Sequence, residues 1–173
     1  MNNEHPTGWP GEPIEPPGLV EIEAAARRLQ GTVVRTPLVR LRDQMSNPRI
    51  LLKPETLQPI GSFKVRGVGN WALGLDAADA AKGLSTTSAG NTAQALGYMG
   101  QQLGVSSRSM VPDNLHAAKR SAIEAYGTEL VGVSMTDLML YMFDELWTAE
   151  PYCYLNPWGE PDMISGHGTI GLE

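Results

Sequence analysis

The sequence predicts an α/β protein built on a parallel sheet, and three observations carry that expectation. Short β-rich stretches alternate with helix-length segments: 83–87, 109–111 and 129–133 read as strands, and 92–103, 115–126 and 136–148 as helices. Strands separated by helices of that length imply right-handed crossovers between parallel neighbours. Two turns rich in Gly, Ser and Asn, 59–64 and 88–91, stand where a strand hands over to a helix, at the sheet end where α/β proteins gather ligands. With 173 residues and 42% hydrophobic content, the chain has enough apolar side chains for one packed domain or two small lobes.

In chain order, residues 1–18 hold Pro6, Pro10, Pro13, Pro16 and Pro17 with three glycines, which removes amide donors and predicts an extended arm. Leu19 to Gln30 sets Ile22, Ala25, Ala26 and Leu29 on one face against Glu and Arg on the others, an amphipathic helix ended by Gly31. Residues 36–41 and 50–53 read as two short strands around a polar turn at 43–48. Ser62 is placed to cap a helix running through Val65, Val68, Trp71, Ala72 and Leu75. Gly67-Val68-Gly69 lies inside that helix, so its glycines are read as packing residues and not as a dinucleotide fingerprint. The Met, Leu and Tyr cluster of 135–142 is expected to be helix core. Tyr152 to Trp158 reads as strand and loop, and 165–171 as a turn opening a helix that has barely begun at Glu173, a sign of a truncated or split chain.

Charge and cysteine usage narrow the function classes. Nineteen acidic and 13 basic side chains give a net charge of -6, which argues against a general nucleic-acid or anionic-membrane surface. The single Cys153 cannot form an internal disulfide, and the N-terminus lacks the basic and apolar regions of a signal peptide, so a reducing, cytoplasmic setting is expected. The longest apolar run, 138–143, falls far short of the roughly 20 residues that span a bilayer. His5, His116 and His167 are widely separated, without partners at ligand spacing, so they are expected at the surface or in loops and no metal site is predicted. Neither a G-x-S-x-G elbow nor a P-loop is present.

Two stretches carry chemistry. Lys64 falls in the first turn of its predicted helix, where the positive end of the dipole disfavours a cation. Enclosed beside Phe63, it would be desolvated toward the neutral amine that attacks carbonyls, as in a Schiff-base lysine. Ser88-Ala89-Gly90-Asn91-Thr92 offers backbone amides, a hydroxyl and a carboxamide at a helix N-terminus, a cradle for a carboxylate or phosphate; a plain helix cap is the other reading of the same residues.

The run Leu52-Lys53-Pro54-Glu55-Thr56-Leu57-Gln58-Pro59-Ile60-Gly61-Ser62-Phe63-Lys64-Val65-Arg66-Gly67 resembles the cofactor-lysine motif of the threonine dehydratase and serine racemase family. The likeness continues through Ser88-Ala89-Gly90-Asn91, Val111-Pro112 with Lys119, Tyr126-Gly127 and Ser165-Gly166-His167-Gly168-Thr169, covering about residues 35–173. The resemblance implies a pyridoxal 5'-phosphate enzyme of the tryptophan synthase beta-like fold, in which Lys64 holds the cofactor covalently and shuttles a proton at the substrate α-carbon. It further implies that Phe63 packs near the ring, that Asn91 bonds the cofactor's phenolic oxygen, and that Ser88, Asn91 and Thr92 hold the substrate carboxylate. The implied reaction is loss of water from serine or threonine, yielding a keto acid and ammonia. Family members usually have His where this chain has Thr92, which bears on substrate choice. The racemases have a serine as opposite-face base where this chain has Ala89, which favours dehydration over racemisation.

Members of that family are about twice as long. The resemblance therefore divides the chain into an arm (1–18), a first segment of a large lobe (19–49), a small lobe (50–150) and a return into the large lobe (151–173). It places the phosphate-binding glycine loop beyond Glu173. A separately encoded C-terminal half or a homodimer is the implied partner, and an amino acid the implied substrate. Two alternatives stand beside this reading: a non-catalytic binding module of the same fold, and a cysteine-synthase-like β-replacement enzyme.

Overall fold

The computed structural model describes residues 15–41 and 50–173. Most of the predicted proline arm and the predicted turn at 43–48 therefore lie outside the described residues. The first helix, α1 (Leu19–Arg28), has Glu21 in its first turn and Arg27 and Arg28 in its last, each matching the sign of the adjacent dipole end. Ala25 is its buried residue and Leu29 is buried at its C-cap, and Gly31 follows in the left-handed region at φ 82. The two predicted strands are present but short: β1 (Val39–Arg40) and β2 (Leu51–Leu52) pair antiparallel, with Val39 opposite Leu52.

The main body begins with α2 (Lys64–Gly74), whose residues 65–72 are all buried. A five-residue helix that the sequence reading missed, α3 (Ala77–Ala81), is capped by Asp76, whose side chain accepts the Asp79 amide at 2.8 Å. The expected alternation then runs through β3 (Leu84–Thr87), α4 (Asn91–Leu103), β4 (Ser107–Pro112), α5 (Ala117–Glu124) and β5 (Glu129–Val133), and continues through α6 (Met135–Phe143), β6 (Cys153–Leu155) and α7 (Pro161–Gly168), two helices whose bounds differ from those expected. All four strands from β3 to β6 are parallel, in the order β5-β4-β3-β6.

That order fixes where a ligand can sit. The chain steps outward from β3 to β4 to β5 and then returns to the other side of β3, so the winding direction reverses between β3 and β6. Right-handed crossovers consequently place α4 and α5 on one sheet face and α6 on the other. The burial of β4 agrees: Ser107, Ser109 and Val111 are buried on the α4 side, whereas Arg108, Met110 and Pro112 alternate onto the α6 side and are half-buried. The crevice at the carboxyl ends of β3 and β6 is the topological switch point.

The core lies between α2, α4, α7 and the sheet, with Val65, Val68, Trp71, Leu84, Leu96, Met99, Leu155 and Met163 in one apolar cluster. Each large aliphatic side chain buried there contributes about 1.5–3 kcal/mol. The predicted packing role of the α2 glycines holds. A Cβ on Gly67 would strike the His167 ring, and one on Gly166 would strike the Arg66 carbonyl, so these two glycines set the close approach of α2 and α7.

Several expectations need correction. Residues 165–171 are not a turn opening a helix; they are the second half of α7 and a following 3-10 turn (Thr169–Leu172). The helix starts earlier, at Pro161, because Pro suits the first helical position and the Glu160 carboxylate accepts the Asp162 amide at 3.2 Å. The helix expected over 136–148 stops at Phe143; Glu145 takes φ 51 and a separate 3-10 turn covers Leu146–Ala149. Nor is the 135–142 cluster all core. Leu138 and Tyr141 are buried, but Met135, Met139 and Leu140 are exposed, since α6 covers the sheet with only one of its faces. Finally, His167 is neither superficial nor in a loop: its Nε2 is buried on α7 against Gly67 and finds no hydrogen-bond partner among the described residues.

Candidate active site at the carboxyl ends of β3, β4 and β6

Lys64 opens α2 immediately after a turn in which Gly61 takes φ 68. Ser62, expected as the cap, stands one residue before the cap position, and its Oγ accepts the Lys64 amide at 3.3 Å. The ammonium lies 5.1 Å from the centroid of the Phe63 ring. No carboxylate or carbonyl partner reaches it among the described residues. Burial alone pushes the Lys64 amine below its ordinary pKa, the direction that enriches the neutral form. Phe63 is 39% exposed and meets His167 edge-on, with ring centroids 4.9 Å apart. Burial and the nearby Lys64 charge together pull the His167 imidazole down to about 4, so it is neutral at pH 7.

The 88–92 turn is held from below by β4. Ser109 Oγ accepts the Ser88 amide at 3.1 Å and donates to the Ser88 carbonyl at 2.8 Å, and Ser88 Oγ in turn accepts the Gly90 amide at 3.3 Å. Helix α4 starts at Asn91 with no side-chain cap, and the amides of Asn91, Thr92 and Ala93 meet no acceptor among the described residues. Those donors, at the positive end of a 13-residue helix, are the groups that an anion cradle would use.

A cavity of about 450 Å³ joins the two features, lined by Lys64, Thr87, Ser88, Ala89 and Thr92 and closed by side chains from β4, α6 and the 156–160 loop. The structure thus brings Lys64, Ser88 and Thr92 together. Phe63 and Asn91 do not line the cavity: Phe63 flanks Lys64, and Asn91 is exposed at the start of α4, where its Oδ1 accepts from Gln94 Nε2 at 3.3 Å. Sequence reasoning missed the remaining lining residues, Met110, Pro112, Leu138, Met142, Pro157 and Trp158. The signal that could have found three of them is position, since Pro112, Pro157 and Trp158 stand at or just past the carboxyl ends of their strands. Among the described residues no group of His, Cys, Asp and Glu could hold a metal ion, and no helix is long and apolar enough to cross a membrane.

Residues 29–173 match the family model described as pyridoxal-phosphate dependent enzyme, so the chain belongs to that family. It is 32% identical over 160 residues to the L-threonine dehydratase catabolic TdcB of Staphylococcus aureus, covering 90% of this chain and 46% of that protein. Among solved structures it resembles a T.th. threonine deaminase (TM-score 0.79, 37% identity, 90% of this chain, 50% of that one). It also resembles maize serine racemase (TM-score 0.82, 27% identity, 91% of this chain, 49% of that one). These likenesses bear out the expected tryptophan synthase beta-like fold. The chain spans about half the length of the curated relatives it matches.

Proposed function

We propose that this chain is the lysine-bearing half of a pyridoxal-phosphate ammonia-lyase that converts serine or threonine to a keto acid and ammonia. The observation that carries the proposal is the meeting, in one cavity, of a desolvated amine without an anionic partner and an anion cradle at a helix N-terminus. That donor set fits the cofactor: an amine shifted by burial toward its neutral form suits an aldehyde carbon, and a separate set of amides suits a carboxylate. When bound, pyridoxal phosphate supplies the electron sink for chemistry at the substrate α-carbon.

The protein's residues do the rest. Lys64 would hold the cofactor, and its amine would carry the proton at the substrate α-carbon. Phe63, beside Lys64, would flank the ring, and Asn91, which stands outside the cavity bonded to Gln94, would have to turn in from the start of α4 to donate to the cofactor's phenolic oxygen. The Ser88 hydroxyl and the amides of Asn91 and Thr92 bind and orient the substrate carboxylate, which sets the α-proton toward Lys64. Ala89 carries no group able to deliver a proton from the opposite face, which favours elimination over racemisation. Loss of the β-hydroxyl as water leaves an enamine, whose hydrolysis releases the keto acid and ammonia.

Segments 19–49 and 151–173 are read as parts of a large lobe around the small lobe 50–150. The exposure of Leu38, Val39, Leu51 and Leu52 supports a further surface packing there, from a C-terminal half or a second copy. The test is spectroscopic. Pyridoxal phosphate added to the chain should give a visible absorbance band that is lost in Lys64→Ala, and a complete assembly should release keto acid from L-threonine or L-serine. A band of equal strength in both proteins would sink the proposal.

A further inference from the structure

The same cavity has a second, chemically opposite wall. Met110 and Pro112 enter it from the end of β4, Leu138 and Met142 from the inner face of α6, and Pro157 and Trp158 from the loop after β6. Leu138 is 6% exposed, so this wall is anchored in the packed interior on the α6 side of the sheet. Thr87 and Met110 are register partners on adjacent strands, which sets the apolar wall directly beside the end of β3 that leads into the Ser88 turn. Of the lining residues Lys64 alone carries a charge, and it stands with the polar wall.

The geometry points to an apolar side-chain subsite, formed by Met110, Leu138, Met142 and Trp158, that takes the hydrocarbon β-substituent of a 2-amino acid whose carboxylate lies in the Ser88–Thr92 cradle. It rests on the carboxylate assignment proposed above. A ligand anchored by its carboxylate at the start of α4 extends its side chain toward β4 and α6, where hydrocarbon replaces water against Met, Leu and Trp. Among the described residues, Met110, Leu138, Met142 and Trp158 offer a second carboxylate no guanidinium, ammonium or hydroxyl, so a carboxylate seated against those four side chains would be desolvated without a cationic partner. The methyl of threonine is thereby favoured over the bare methylene of serine, longer hydrocarbon chains are admitted, and acidic side chains are rejected. Two methionines suit this task because an unbranched thioether repacks around ligands of different length.

The test needs no turnover. The full chain, with and without pyridoxal phosphate, is labelled on its methionine methyls, and the Met110 and Met142 resonances are assigned from Met110→Leu and Met142→Leu. Titration then follows L-alanine, L-2-aminobutyrate, L-norvaline and L-aspartate, none of which has a β-hydroxyl to lose. Affinity should rise about fourfold with each added methylene. The Met110 and Met142 signals should move with it, and L-aspartate should bind at least about tenfold more weakly than L-norvaline. Met142→Arg should reverse that order, whereas Ser88→Ala should weaken all four ligands alike. Equal affinities across the series, tighter binding of L-aspartate, or Met110 and Met142 signals that stay still in both states would overturn the subsite. Loss of the Lys64-dependent absorbance with the chain-length series intact would remove the cofactor reading and leave the subsite standing.

Discussion

Arg66 and Lys64 are two cations two residues apart on one helix, and the protein treats them in opposite ways. Arg66 is fully buried and saturated: Nε donates to Glu55 at 2.7 Å, Nη1 to Glu173 at 2.8 Å and to Thr169 at 3.2 Å, and Nη2 to both carboxylates and the Val34 carbonyl. Lys53 adds a second cation to Glu173 at 2.6 Å. Burial opposes the Arg66 charge, but the two carboxylates overcome it and hold its pKa above the ordinary value. Lys64 has burial and no anion among the described residues, and its pKa moves the other way. One charge ties the chain's 34, 55, 66, 169 and 173 regions into a fold, and the other has no anionic partner among the described residues. A residue's neighbours, more than its type, decide whether a cation serves structure or reaction.

The largest expected effect comes from breaking the saturated side. Arg66→Leu strands Glu55 and Glu173 beside an apolar side chain and should cost about 3–5 kcal/mol, read as a lower urea midpoint with an unchanged slope. Replacing both Glu55 and Glu173 along with it should recover part of that loss.

Next in size is the contact behind Lys64. Gly67→Ala drives a methyl into the His167 ring and should destabilise by about 1–3 kcal/mol, with most of the loss relieved in the Gly67→Ala/His167→Ala double variant. If the two substitutions add without coupling, the α2–α7 contact is not where the cost lies.

Acid should separate the two sides by pH. His167 has a folded pKa of about 4, below its ordinary 6.5, so the unfolded chain binds the proton more readily. Its contribution is complete above pH 6.5, declines as pH falls from 6.5 to about 4, and amounts to on the order of 2–3 kcal/mol. Glu55 and Glu173 are also depressed: burial raises them, but hydrogen bonds from Arg66, joined by Thr36 and Gln58 on Glu55 and Lys53 on Glu173, prevail. Their contribution is present above the ordinary carboxylate value of 4.5 and is lost as pH falls through their lowered values. Stability against pH should therefore fall in two stages, and His167→Gln should remove the upper one alone.

The smallest effect on stability belongs to the spare cation. Lys64→Ala should change the unfolding free energy by no more than about 1 kcal/mol, since only its contact with the Phe63 ring is lost. A loss above about 2 kcal/mol in a urea titration would mean that Lys64 is a structural residue after all, and the contrast with Arg66 would collapse.

Much of this was written locally along the chain. The alternation of strands and helices from 83 onward, the glycine turn ahead of Lys64 and the Ser-Asn-Thr turn at the start of α4 depend on side-chain periodicity, on φ preferences and on amides left over at a helix end. Those are short-range causes, legible one segment at a time. Pattern failed where a helix met a neighbour. The glycines at 166 and 168 read as a turn until α2 came close at Gly166 and Ile22 of α1 at Gly168, and the α6 apolar side chains read as core although one helix face is left exposed among the described residues. Tertiary structure alone decided that Arg66 meets carboxylates 11 and 107 residues away, and that Lys64 meets none. It alone joined Met110, Leu138 and Trp158 to the Lys64 cavity. Such meetings depend on strand order and crossover hand, which bring distant strand ends to one crevice, and no local preference encodes a distance between them.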